Sequence, residues 1–363
     1  MRAACALLLS LAVPAIAAAG PPSQFMLEVT LNGQRIEGTP LHWTPAEVLL
    51  LGRDGRLWRF PPGEVSGFHK TSEHFRALTV SEIRAMLLRE LGSAYEVSGT
   101  GHYMVAHPQG KRDVWAPRFE EQYRSFLHYF AVRGFRPREP EFPLIGVVAA
   151  TRADFERYAA GQGAPVGAGV LGYYSPQSNR ILLYDVGNGR ASVREWRRNA
   201  ATVVHEATHQ MAFNTGIHNR YAAPPLWVAE GLATLFEAPG MSDSQSYPER
   251  RDRINRDRYE HFLRAVAPRH RPELLREIAV SDQWFRTAPL DAYAEAWALT
   301  FYLAETQPLK YADYLARTAR RPSFSDYPEA ERAGDFAAVF GDDMRMFEAQ
   351  FLRFMQDSSL ALP

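Results

Sequence analysis

The sequence contains a single cysteine, Cys5, among its 363 residues. Disulfide scaffolds, iron–sulfur proteins and thiolate zinc sites all need several cysteines, so these three classes are excluded. The chain also lacks an excess of charge, because 41 Lys and Arg residues balance 41 Asp and Glu residues. Since proteins that bind nucleic acid usually present a basic field, we expect no nucleic-acid partner.

The N-terminus has the pattern of a secretory signal peptide over residues 1–19. Arg2 precedes a short run that is rich in Ala and Leu, and Ala17-Ala18-Ala19 offers a cleavage site. The alternative is an uncleaved N-terminal helix. No later run reaches the ~18 apolar residues that a membrane-spanning helix needs. We therefore expect an exported protein, periplasmic or secreted, with no membrane span after cleavage and no cysteine in the mature chain.

The remaining chain predicts two domains of the α+β class. Residues 26–70 alternate apolar and polar positions and contain two hairpin signals, Asn32-Gly33 and Asp54-Gly55. We expect a β-rich module with a following helix at 20–98, and a larger domain at 99–363. The larger domain is divided into a part with a sheet and helices at 99–240 and a helical subdomain at 241–363.

Hydrophobic periodicity and capping signals place the main elements of the chain. Thr79 and Glu82 have the spacing of a capping box at the start of a helix. The predicted helices are 79–91, 115–132, 153–160 and 194–213, and the predicted strands are 102–106, 143–149 and the two arms of a strand–turn–strand at 170–184. The mixed charges of residues 247–260 indicate a solvated helix face rather than a binding patch.

The predicted helix at 194–213 carries the pattern His-Glu-Ala-Thr-His at residues 205–209. His205 and His209 lie one helical turn apart on one face, so their imidazoles can hold one metal ion between them. Glu206 lies close enough to reach a water on that metal. Without further context, two histidines at this spacing are more often ordinary surface or core residues than ligands.

A second motif, Trp-Val-Ala-Glu-Gly-Leu-Ala at residues 227–233, supports the metal interpretation. Glu230 would complete a set of two histidines and one glutamate, which is typical of one zinc ion per chain with one open position for water. Glu237 lies two helical turns further on and could accept a hydrogen bond from a ligand histidine. The alternative for Glu237 is an ordinary surface glutamate.

These two motifs resemble the gluzincin metallopeptidases, and most closely the peptidase-MA-like domains of exported bacterial proteins. The resemblance extends over residues 100–355. It implies a zincin-like domain: a small mixed sheet with an antiparallel edge strand, an active-site helix and a helical C-terminal subdomain. It also implies zinc-dependent hydrolysis of peptide bonds in a peptide or protein substrate, with Glu206 as the general base.

Two further segments resemble functional parts of the same family. The helix from Tyr293 to Leu303 is similar to the one that carries a catalytic tyrosine, and Tyr293 occupies the matching position. The segment 172–184 resembles the edge strand along the substrate cleft, where we expect Tyr173 and Tyr184 to contact substrate. The alternative for Tyr293 is a core tyrosine in an aromatic-rich helix.

The sequence also departs from the family pattern. It has no strand like the Gly-Ala-Met-Glu-Asn signature of aminopeptidases, so the resemblance does not imply an anchor for a substrate amine. Thr234 stands where thermolysin-like members have an aspartate, which favours Glu237 as the partner of a ligand histidine. We expect His218 to be an exposed loop residue, the alternative being a substrate contact.

Two other functions stay open at this point. The chain could be a non-catalytic, metal-stabilised binding or scaffold protein on a peptidase fold, or it could hydrolyse a non-peptide amide. The presence of both Glu206 and Tyr293 favours catalysis, since a scaffold protein needs neither residue.

Overall fold

The structure, a computed structural model, describes residues 25–110, 114–164, 166–167, 169–185, 193–357 and 360. The proposed signal peptide and Cys5 lie outside the described residues. Along the part of the chain that is described, no helix combines the length and the apolar character needed to cross a membrane.

The described residues form two compact units, the first at residues 25–53 and 57–76 and the second at 54–56 and 77–360. The sequence pattern predicts a domain boundary between residues 98 and 99 instead. The helix at Val80–Leu91 and the strand at Tyr95–Gly99 belong to the second unit, because that strand pairs with Tyr103–Pro108. A division into separate domains at 98 and 99 stays a prediction.

The first unit is a five-stranded antiparallel sheet. Its strands are β1 (Met26–Leu31), β2 (Gln34–Trp43), β3 (Val48–Gly52), β4 (Leu57–Phe60) and β5 (Val65–Ser72), in the order β4-β3-β2-β1-β5. Asn32 and Gly33 both have positive φ, 50° and 80°, as the turn between β1 and β2 requires. The hairpins predicted from the sequence are therefore confirmed. Val29, Ile36, Val48, Leu50 and Phe60 form the small core of this sheet.

The second unit contains a mixed sheet and thirteen described α-helices. The strands are β6 (Tyr95–Gly99), β7 (Tyr103–Pro108), β8 (Leu144–Ala149), β9 (Gly172–Ser175) and β10 (Arg180–Tyr184), in the order β6-β7-β8-β10-β9. β7, β8 and β10 are parallel neighbours, and β6 and β9 are antiparallel edges. The helices are α1 (Val80–Leu91), α2 (Ala116–Ala131), α3 (Arg152–Gly161), α4 (Val193–Asn214), α5 (Leu226–Phe236), α6 (Pro239–Ser242), α7 (Arg256–His261), α8 (Pro272–Val280), α9 (Gln283–Thr287), α10 (Pro289–Thr306), α11 (Pro308–Ala319), α12 (Glu329–Phe340) and α13 (Met344–Met355). The α+β class is confirmed.

Strand alternation gives this sheet two buried faces. In β8, Leu144 and Val148 join the core formed with α2 and α4, while Ile145 and Val147 join the core formed with α1 and α3. Parallel strands buried on both faces read as continuous apolar runs, which is why the sequence predicted a buried strand here. The predicted capping box is also present, since Thr79 accepts from the Glu82 amide and Glu82 accepts from Thr79.

A buried ionic cluster joins three segments of the helical region. The side chain of His270, which is 1% exposed, contacts Glu295 of α10 through Nε2 at 3.0 Å and Glu348 of α13 through Nδ1. Burial opposes the charged imidazole, but the two carboxylates outweigh it and raise the pKa of His270. The contacts of His270 with Glu295 and Glu348 therefore hold α10, which also carries Tyr293, against α13.

Candidate metal centre

Helix α4 presents both motif histidines away from its core face. Val203, Ala207 and Met211 are fully buried, as the helical spacing predicts. The side chains of His205 and His209 stay 16% and 11% exposed, respectively. One side of α4 thus anchors the helix in the core while the other presents two imidazoles one turn apart.

Glu230 reaches the histidines from α5, which packs closely against α10. A Cβ atom at Gly231 would lie 2.1 Å from Oγ1 of Thr300 and 2.6 Å from the carbonyl oxygen of Ala296. Only glycine allows the two helix backbones to approach this closely. Because Glu230 immediately precedes Gly231, this contact also fixes where the carboxylate is held.

The structure brings three donor atoms to nearly equal separations. Nε2 of His205 and Nε2 of His209 are 3.2 Å apart, and each lies 3.4 Å from Oε2 of Glu230. Tetrahedral zinc with bonds of about 2.0–2.1 Å separates its ligand atoms by about 3.3–3.4 Å. Oε2 of Glu230 is buried and accepts no hydrogen bond from any described residue. The three residues therefore fit one zinc ion in both donor type and spacing.

The electrostatics of this cluster favour a bound cation. Burial would raise the pKa of Glu230, but the charge of His209 and the contacts of this carboxylate with both histidines at 3.4 Å lower it well below its usual range. Burial would likewise lower the pKa of His205, but its contacts with Glu230 and Glu237 raise it. Glu230 is thus ionised, and the positive charge held here by protons is the charge that a metal ion would replace.

Glu237 fixes the orientation of His205. Its Oε1 lies 2.7 Å from Nδ1 of His205, and its Oε2 accepts a hydrogen bond of 2.7 Å from Nδ2 of Asn255. The Nδ2 group of Asn255 also donates to the carbonyl of Thr234, and its Oδ1 caps α7 by accepting from the amide of Arg258. A proton on Nδ1 of a neutral His205 leaves the Nε2 lone pair directed at the cluster.

Glu206 lies beside the cluster and is held by the edge strand. Its Oε2 accepts a hydrogen bond of 2.7 Å from the backbone amide of Tyr174 in β9. A Cβ at Gly172 would lie 2.8 Å from Cγ2 of Thr202, so β9 approaches α4 closely at this point. Glu206 is 9% exposed, and it lines a small cavity.

That cavity has a volume of about 280 Å³ and contains the groups expected near a reacting bond. It is lined by Leu171, Gly172, Ala201, Thr202, His205, Glu206, Glu237, Arg258 and Tyr293. The Tyr293 ring contacts Phe285 edge-on, with centroids 5.5 Å apart, and the guanidinium of Arg258 lies 5.1 Å from its centroid. Burial, and then the charges of Glu230 and Glu206, raise the pKa of Tyr293, so its hydroxyl stays protonated at neutral pH.

Tyr173 and Tyr184 are not brought to this cavity, and their expected contact with substrate gains no support. Tyr173 lies in β9 with its ring 6.2 Å from Phe155, and the ring of Tyr184 in β10 lies 5.4 Å from the same residue. Both tyrosines pack on the sheet face that α3 covers. The reason is strand alternation, which turns Tyr173 to the opposite face from Gly172 and Tyr174.

The expectation of an exposed His218 is wrong. The residue is 1% exposed, and its ring packs edge-on against Phe213 at 5.3 Å. Burial, and then the charge of His209, lower the pKa of His218 to about 3, so the ring is neutral at ordinary pH. His218 fills space beyond the end of α4 and does not line the cavity.

Three residues of this region were missed by the sequence analysis. The amide of Tyr174 and the amide group of Asn255 act through hydrogen bonds, which no motif records. Arg258 lies inside the mixed-charge stretch that was interpreted as a solvated helix face. A small signal existed for Asn255 alone, because Asn is a preferred N-cap residue and a helix follows it.

Comparison with known proteins finds a family match over part of the chain and a weak structural similarity. Residues 199–325, less than half of the chain, match a family described as "Protein of unknown function (DUF1570)". No curated protein matches the chain. Among solved structures, the chain has a weak similarity to the crystal structure of a mutant M1 zinc metallopeptidase from Deinococcus radiodurans, with 14% identity and a TM-score of 0.39. The match covers 74% of this chain and 52% of that chain, so this protein spans about half the length of that enzyme.

Proposed function

We propose that this protein is an exported zinc peptidase with a zincin-like domain, in which His205, His209 and Glu230 hold the metal. One observation carries the proposal: three donor atoms at 3.2–3.4 Å from one another, immediately beside a buried glutamate and a protonated tyrosine. Structural zinc sites usually have four protein ligands, whereas three protein ligands are typical of catalytic sites. The described residues offer three.

When bound at these residues, zinc would supply Lewis-acid polarisation of a carbonyl oxygen and lower the pKa of a coordinated water. Glu206 would accept a proton from the attacking water as its oxygen bonds to the carbonyl carbon. Glu206 would then deliver that proton to the amine as the carbon–nitrogen bond breaks. The hydrogen bond from the Tyr174 amide holds this carboxylate in place beside the cavity.

Tyr293 is suited to stabilise the carbonyl oxygen as it gains negative charge. Its hydroxyl stays protonated because burial and the neighbouring carboxylates raise its pKa. A donor of this kind typically contributes a few kcal/mol to the transition state. Glu237 would act through His205, since its carboxylate holds the Nδ1 side of that ring.

An extended peptide could pair with the outer side of β9. Residues of β9 alternate between facing β10 and facing outward, and the Tyr174 amide, which bonds to Glu206 rather than to β10, faces outward. Gly172, two residues away, therefore offers its backbone N–H and C=O on the same side. This is the backbone arrangement that adds a peptide strand to a sheet edge, and it requires no side-chain contact with Tyr173 or Tyr184.

The proposal is tested by incubating zinc-loaded protein with a mixed peptide library, with and without a chelator, and with zinc restored after chelation. We expect cleavage that the chelator abolishes and zinc restores. Glu206→Gln should retain zinc but lose cleavage. One zinc per chain with no cleavage under any condition would contradict the proposal and favour a non-catalytic, metal-stabilised binding protein.

A further inference from the structure

The guanidinium of Arg258 lines the cavity beside Glu206 and Glu237 without a hydrogen bond or a close ion pair to any described residue. It lies 5.1 Å from the centroid of the Tyr293 ring, and its positive charge acts on the Glu237 carboxylate without an ion pair within 4 Å. By contrast, Arg253 holds Glu305 through two hydrogen bonds, and Arg332 holds Asp282 in the same way. Arg258 keeps its N–H donors available on the side that faces the cavity.

The position of Arg258 is fixed by the same residues that fix the metal centre. Asn255 caps α7 through the Arg258 amide and also holds Glu237, which in turn holds His205. The Tyr293 ring lies against the guanidinium and restricts it further. A cation held in place in this way loses little freedom on binding an anion, which makes it an effective binding group.

The charges around the cavity leave room for one more anion. Among the residues that line it, Arg258 is the one Lys or Arg, and Glu206 and Glu237 are the carboxylates. With Glu230 included, three negative charges face one guanidinium, and a divalent metal brings this sum to zero. A substrate carboxylate next to Arg258 therefore meets no excess negative charge.

We propose that Arg258 is a specificity-determining residue that binds a carboxylate of the substrate next to the bond that is cleaved. The carboxylate could belong to an Asp or Glu side chain or to the free C-terminus of a peptide, and both present the oxygen pair that a guanidinium binds through two parallel hydrogen bonds. The inference rests on the proposed peptidase function and adds the substrate class to it.

The test uses one peptide sequence that the zinc-loaded protein cleaves, varied in two ways. In the first arm, Glu, Gln or Lys replaces each residue near the cleaved bond in turn, since Gln keeps the shape of Glu without its charge. In the second arm, each peptide carries either a free or an amidated C-terminus. We expect kcat/KM to favour the carboxylate roughly ten- to hundredfold over its neutral counterpart in one arm, which identifies the source of the carboxylate.

Substitutions at Arg258 separate recognition from a structural role. Arg258→Gln should reduce the ratio of kcat/KM between the carboxylate peptide and its neutral counterpart to near one. Arg258→Lys should restore part of that ratio. Arg256→Gln provides a matched control, because Arg256 is an exposed residue of the same helix that does not line the cavity. This control should keep the wild-type ratio. A purely structural role would lower the rates for all peptides equally and leave the ratio unchanged.

Failure of this inference can be distinguished from failure of the proposed function. Cleavage without preference in either arm, or an unchanged ratio in Arg258→Gln, would overturn the role of Arg258 and leave the peptidase proposal intact. If the wild type cleaves no peptide, the same charged and neutral peptides are titrated against the zinc-loaded protein. Binding of the carboxylate forms that Arg258→Gln loses would then support the inference alone, and no difference in binding would overturn it.

Discussion

Gly231 allows a quantitative test of how the metal centre is positioned. In Gly231→Ala, the new Cβ would lie 2.6 Å from the Ala296 carbonyl oxygen, and contacts below 3.0 Å essentially never occur, so α5 and α10 must separate by at least 0.4 Å. Overpacking of this kind costs about 1–3 kcal/mol, and the contact with Thr300 places this site at the upper end. The higher helix propensity of Ala returns about 1 kcal/mol. We therefore expect a net loss of roughly 1–2 kcal/mol in the free energy of unfolding.

The matched control is Gly334→Ala in α12, where a Cβ would meet nothing within 4 Å. At that position only the higher helix propensity of Ala contributes, and we expect the free energy of unfolding to rise by about 0.5–1 kcal/mol. Urea unfolding with a chelator present measures both variants without a contribution from bound metal. Adding Thr300→Ala to Gly231→Ala should recover part of the loss, because it removes the oxygen at 2.1 Å but not the backbone contact. If Gly231→Ala is as stable as Gly334→Ala, the close approach of the two helices is refuted.

Three further predictions concern residues around the centre. Glu237→Gln should weaken zinc binding roughly 10–100-fold, measured by competition with a chromophoric chelator, because His205 loses the carboxylate at its Nδ1; unchanged affinity would make Glu237 an ordinary surface residue. Tyr293→Phe should lower kcat by roughly 100-fold with little change in KM or zinc content, whereas a loss of stability with normal kcat would indicate a core tyrosine. His270→Gln should lower the free energy of unfolding by roughly 3–5 kcal/mol, because buried carboxylates lose their cation. Since the pKa of His270 is raised on folding, this contribution is fully present below pH ~6.5 and declines as pH rises through the folded pKa. Urea unfolding across that pH range measures the difference in free energy of unfolding between the wild type and His270→Gln. A difference that grows as pH rises would contradict the expected direction.

Local patterns account for most of what could be predicted. His205 and His209 are four residues apart on one helix, so their spacing alone places both on one face. The capping box at Thr79 and the turn at Asn32-Gly33 are equally local, and both are present. Glu230 could be predicted from the sequence because a second motif surrounds it. The contact with α10 explains why that motif contains glycine at position 231.

Positions that depend on tertiary contacts could not be predicted from such local patterns. The pattern around residues 170–184 predicted two strands correctly, but it could not show which face of β9 meets α4. Gly172 lines the cavity and the backbone amide of Tyr174 reaches Glu206, whereas Tyr173 packs on the opposite face of the sheet. The partnership of Glu237 with Asn255, and the position of Arg258 against Tyr293, join segments that are distant in sequence. The pattern of charges in residues 247–260 does not distinguish Arg258 from the other charged residues of that stretch.

The proposed function depends on His205, His209 and Glu230 holding one zinc ion together. The most direct measurement is a zinc titration of chelator-treated protein against a competing chromophoric chelator. We predict one zinc per chain, with affinity reduced more than roughly 100-fold in both His209→Ala and Glu230→Gln, beyond the range expected for residues that only hold a ligand in place. His128→Ala, an exposed histidine of α2, should bind zinc like the wild type. Zinc bound equally well by the wild type and both ligand variants, or by none of them, would contradict the proposed zinc centre.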